Sequence, residues 1–79
     1  MMTEFDPKLG VLVSGNEIVV VLTGSIYTVT YFKRRGSQGL LAKNIANKDD
    51  PRIRMTAAEF LAKAWKAANE KAQELGWIM

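Results

Sequence analysis

Hydrophobic residues in this chain change their spacing once. Between positions 9 and 33 they alternate in three short runs, and between 56 and 76 they recur every three or four positions. Alternation by two marks strands with one buried face, and spacing by three or four marks an amphipathic helix. The runs 17–23 and 26–33 flank Gly24-Ser25, which reads as a two-residue hairpin turn of the type II′ class with glycine first. That turn sets Thr23 opposite Ile26. The pairs Leu22/Tyr27, Val20/Val29 and Ile18/Tyr31 then fall on one face, and a one-residue slip would scramble them. A second two-residue turn at Gly15-Asn16 adds Val13/Ile18, Val11/Val20 and Leu9/Leu22 to the same face. The expectation is a three-stranded antiparallel meander over 9–14, 17–23 and 26–33. Its core face carries Leu9, Val11, Val13, Ile18, Val20, Leu22, Tyr27, Val29 and Tyr31.

The helix carries signals at both ends. Thr56 followed by Glu59 forms a capping box, and Gly76 stands where a left-handed residue ends a helix, with Trp77 next to close over Ala72. Over 57–75 the residues Ala57, Phe60, Leu61, Ala64, Trp65, Ala68, Ala72 and Leu75 make one stripe, opposite Glu59, Lys63, Lys66, Glu70, Gln73 and Glu74. The alanines allow close approach to a sheet, with Phe60, Leu61, Trp65 and Leu75 as large anchors. Met55 is placed to staple onto Phe60. Between sheet and helix, 34–39 is turn-like, 40–46 reads equally as a short strand or a helical turn, and 47–51 is a loop ended by Pro51. The whole is one α+β domain, 1–79, with 1–7 read as a frayed tail.

Composition then narrows the chemistry. A single domain of 79 residues buries only about 60–65% of its unfolded surface, so a second copy would add stability. The chain has no cysteine and no histidine. Disulfides, thiolate or imidazole metal sites, cysteine nucleophiles and imidazole bases are therefore excluded. The absence of cysteine fits a reducing cytoplasm, and the first seven residues, with Glu4 and Asp6, lack the pattern of a leader peptide. The apolar run 18–22 is too short to span a bilayer. No cofactor, metal or catalytic residue is assigned. Asp49-Asp50 read as turn formers, Glu70 and Glu74 as solvated helix residues, and Ser25 and Ser37 have no orienting third group with any lysine.

Charge is the one uneven property. Seven of the eleven basic residues and two of the eight acidic ones lie between Lys33 and Arg54, giving that segment +5 and the remainder −2. Lys33, Arg34, Arg35, Lys43, Arg52 and Arg54 are candidate contacts for phosphate or nucleic acid. A solvated connection accounts for the same charges, and aromatics are not interleaved with them as on a single-strand-binding surface. The stretch 34–39 has glycine, serine and arginine that could cradle a phosphate. It lacks the ending of a P-loop and the dinucleotide fingerprint, and reads as a turn.

The apolar residues outside the expected core point elsewhere. Leu12, Val19 and Val21 fall on the outer sheet face, and Trp77 and Ile78 follow the helix, so these five are candidates for self-association. Residues 27–32 together with 55–77 resemble short uncharacterised proteobacterial proteins of unknown function. That resemblance implies a small bacterial protein and supplies no site residue. The functional expectation is a non-enzymatic interaction module whose partner is protein, including a second copy of itself; a small nucleic-acid-binding protein is the alternative.

Overall fold

Two turns and one register set the architecture. In the computed structural model, which describes residues 8–78, the sheet has the order β1-β2-β3-β4 with every neighbour antiparallel. The strands are β1 (Leu9–Ser14), β2 (Glu17–Leu22), β3 (Thr28–Phe32) and β4 (Leu41–Lys43), followed by one helix, α1 (Ala57–Glu74). The expected frayed tail, 1–7, lies outside the described residues.

Every expected cross-strand pair that falls within the ladders is present: Leu9/Leu22, Val11/Val20 and Val13/Ile18, then Ile18/Tyr31 and Val20/Val29. Gly15-Asn16 forms the first turn, with Ser14 opposite Glu17. The second turn differs from the expected two-residue loop. Leu22 and Tyr27 still hydrogen-bond, Leu22 N–H donating to the Tyr27 carbonyl at 3.1 Å, but residues 23–26 form a wider tip. Ser25 N–H closes a turn on the Leu22 carbonyl, so Gly24, at φ 83°, is its third residue and not its second. A positive φ is required at that third position in type II geometry, which glycine supplies without strain. The Ser25 hydroxyl reinforces the tip by donating to the Leu22 carbonyl and accepting Tyr27 N–H.

Residues 40–46 resolve as a strand. Leu41–Lys43 pairs with β3, Leu40 is buried in the core just before it, and Asn44, at φ 53°, ends it.

The helix follows its caps. Thr56 Oγ1 accepts Glu59 N–H while a Glu59 carboxylate oxygen accepts Thr56 N–H, completing the capping box. At the other end Trp77 N–H donates to the Ala72 carbonyl and Gly76 N–H to that of Gln73, the paired bonds of a Schellman end, with Gly76 at φ 79°. The line Ala57, Phe60, Ala64, Ala68 and Ala72 is buried against β2 and the flanking strands β1 and β3. Ile18, Val20, Leu22, Tyr27, Val29 and Tyr31 meet it from the sheet. Phe60 stacks on Tyr27 with ring centroids 5.3 Å apart.

Two of the expected anchors are not in the core: Trp65 is 47% and Leu75 41% exposed. Trp65 stands one residue, about 100°, around the helix from the central Ala64. The small residues let the helix settle close to the strands, and the indole lies at the flank, resting on Tyr31 at 5.7 Å. Leu75 is exposed for a different reason. Leu75 is the C-cap residue, one position beyond the last helical residue Glu74, and Gly76 turns the chain so that Trp77 and Ile78 return to pack on the core.

Candidate functional site

Three regions hold the residues singled out above, and the first is a buried polar junction. Asp50 is only 2% exposed. One of its carboxylate oxygens accepts Ile26 N–H at the hairpin tip and the other accepts Arg52 N–H, an Asx turn, while the Arg52 guanidinium donates to both. Asp50 N–H donates to the Tyr27 hydroxyl, which itself donates to the Met55 carbonyl; both distances are 2.7 Å. Asp49 adds the first helical N–H, that of Ala57, at 2.8 Å. The acidic pair thus ties the loop before the helix to the hairpin tip and to the helix N-terminus. Both Asp50 oxygens and one Asp49 oxygen are spent on amides and one guanidinium. Among the described residues no group of three or more carboxylates is placed to hold a metal ion.

The junction gives the fold an acid limit. The Arg52 guanidinium, aided by the Arg52 and Ile26 amides and working against desolvation, holds the Asp50 carboxyl at about 2, below its ordinary 3.8. A carboxyl depressed on folding stabilises the native state above its unfolded pKa, and that contribution is lost as pH falls through the folded value. Thermal melts followed by circular dichroism should therefore show Tm dropping as pH is lowered from 3.8 toward about 2. Asp50→Asn should melt lower at neutral pH and show less of that drop; an identical acid profile in the variant would assign it to other groups.

The basic candidates occupy the second region, and the fold separates them. Arg34 and Arg35, with the half-buried Lys33, follow β3 at the end of the sheet near Gly15-Asn16. Arg52 and Arg54 flank the junction at the opposite end, beside Ile26 and Met55. The five residues of β3 put about 16 Å between the two groups. Lys43 sits between them on the outer face and is engaged: it pairs with Glu17 at 2.5 Å and lies 5.5 Å above the Phe32 ring. Arg52 is engaged by Asp50. In the 34–39 turn, Ser37 N–H donates to the Arg34 carbonyl and its hydroxyl to the Gly39 carbonyl, so the groups that would cradle a phosphate close the turn instead. Burial pushes the Tyr31 phenol upward, away from any use as a base near neutrality.

The outer sheet face is the third region, and its two halves differ. Over β3 the Glu17–Lys43 pair and Phe32 form a roof, beneath which Thr30 is 7% exposed, while Leu41 at the β4 edge stays 38% exposed. Over β1 and β2 there is no such roof among the described residues. Leu12 is 60% exposed there, beside its cross-strand partner Val19, and Val21 faces Gly10. A Cβ at Gly10 would stand 3.2 Å from a Val21 methyl, so the Val21 side chain leans over the glycine beside Leu12. Of the five self-association candidates, Leu12, Val19 and Val21 form one patch; Trp77 and Ile78 pack on the core at the far end of the helix.

The asymmetry of the two halves was not readable from alternation alone, because the roof depends on a lysine two strands away from its glutamate. Asp50 likewise reaches across 24 positions to Ile26, and the only sequence signal was the turn chemistry of Asp before Pro51. Among the described residues no helix is long and apolar enough to cross a membrane. No family model, curated protein or solved structure matches the chain.

Proposed function

We propose that this chain is a non-enzymatic interaction module that binds protein, a second copy of itself included, through the unroofed β1–β2 half of its sheet. The observation that carries this reading is the exposure of Leu12, at 60%, next to Val19 and Val21 on a face where β3 is covered by the Glu17–Lys43 pair. A contiguous apolar patch marks an interaction surface more often than a scattered exposed leucine does. The basic residues favour nucleic acid less, since they fall at opposite ends of the sheet and two of them, Lys43 and Arg52, are held by carboxylates.

Sedimentation velocity tests the proposal. The wild-type chain should associate at high micromolar concentration, and the double variant Leu12→Lys, Val19→Lys should remain folded and sediment as a monomer. Equal association of both would remove the outer face from consideration. Steeply salt-dependent binding to duplex or single-stranded nucleic acid would favour the alternative instead.

A further inference from the structure

The two edges of the sheet are built differently. β4 is three residues long, carries Lys43 and ends at the left-handed Asn44, features that blunt an edge against further pairing. β1 has six residues, with no charge, proline or bulge. Its outer edge is unpaired among the described residues.

Ladder geometry fixes which groups that edge presents. Ser14 and Glu17 flank a two-residue turn and so form a hydrogen-bonded pair, and Thr23 N–H donates to the Lys8 carbonyl at 3.1 Å. Even-numbered residues of β1 therefore bond to β2. Leu9, Val11 and Val13 direct their N–H and C=O groups outward. From this we infer that the chain forms a two-fold symmetric dimer by antiparallel pairing of β1 with β1 of a second copy, with Val11 on the axis. The inference rests on the interaction reading above and names its partner and contact.

Three features select this register. With Val11 opposite its own copy, Leu9 pairs with the partner's Val13 and Val13 with the partner's Leu9, so all the outward groups are used in about six hydrogen bonds. A shift of the axis to Gly10 or Leu12 would leave one outward residue of each strand without a β1 partner. The side chains also complement one another. Val13, on the core face yet 42% exposed, gains the partner's Leu9, and Leu12 lies opposite the partner's Gly10, diagonal to the partner's Leu12. The product is one continuous antiparallel sheet with both helices on the same face.

Proline at an edge position whose N–H points outward removes an intermolecular bond and no intramolecular one. Val13→Pro should keep the far-UV circular dichroism of the wild type and weaken dimerisation by roughly tenfold or more. The chain has no cysteine, so single cysteines report the register. Val11→Cys should form a disulfide-linked dimer faster than Leu12→Cys or Val13→Cys, because only Val11 lies within disulfide reach of its copy, about 5.5 Å between Cα atoms in a hydrogen-bonded pair. Should Val13→Pro fail to fold, the cysteine comparison decides. Preferential crosslinking at Leu12 or Val13 overturns the register, and a folded Val13→Pro dimer overturns the edge contact while leaving the outer-face reading intact. A strictly monomeric wild type overturns the dimer altogether, and the reading above then stands only if the outer face binds a different protein.

Discussion

Phe60→Ala should cost about 3–5 kcal/mol, the range for truncating a fully buried phenylalanine. Phe60 is 0% exposed and stacks on Tyr27, and its neighbours along the buried line of the helix, Ala57 and Ala64, are too small to close the gap. A chain of this length has a total stability of roughly 4–12 kcal/mol at the usual value per residue. The variant should therefore sit at the margin of folding at room temperature. Urea denaturation monitored by tryptophan fluorescence checks it, since Trp65 rests on Tyr31 and senses loss of the helix–sheet contact. A loss below about 1 kcal/mol would mean that the helix slides to fill the cavity, and close helix–sheet contact would then depend on the alanines alone.

The register was legible because it depends on where a turn is centred more than on its type. A two-residue loop at 24–25 and the observed four-residue tip at 23–26 share a centre, so both set Val21 opposite Thr28. Helix ends were legible for a related reason: caps are local, and Thr56, Glu59, Gly76 and Trp77 carry their geometry within a few positions. Trp65 was misplaced because a hydrophobic stripe records direction and not the width of the surface beneath it. The sheet under α1 is effectively three strands wide, β4 lying outside its contact, so a side chain at the flank of the stripe finds solvent on one side. A three-residue strand such as β4 is too short to show any period.

The candidate surface was legible only in part. Leu12, Val19 and Val21 could be assigned to the outer face from alternation, but which half of that face is covered depends on Lys43 crossing over β3 to Glu17. The cover over β3 separates the Leu12 patch from Leu41, and the sheet edge beside that patch is β1. The unblunted strand and the exposed leucine thus belong to one surface, and the basic segment, which looked coherent in sequence, is divided by the same topology that gathers the apolar residues.

Tyr27→Phe should cost about 2–4 kcal/mol although it removes a single oxygen. That oxygen accepts Asp50 N–H and donates to the Met55 carbonyl, both at 2.7 Å, and Tyr27 is 1% exposed. Removal leaves the buried Asp50 amide and the half-buried Met55 carbonyl unpaired; a buried unpaired group costs about 1–3 kcal/mol and the half-buried one less. The ring itself stays, so stacking on Phe60 is retained and the loss belongs to the junction and not to the core. Hydrogen exchange separates the two. In Tyr27→Phe the amides of Asp50 and Ile26 should exchange faster together, because Ile26 N–H is held by the Asp50 carboxylate, while the amides of Val20 and Val29 in the central strands change only by the global loss of stability. In Phe60→Ala all four should shift alike. If Tyr27→Phe instead accelerated only the central strands, the hydroxyl would be acting through ring packing, and the link from hairpin tip to helix N-terminus would have to run through Asp49 and Ala57 alone.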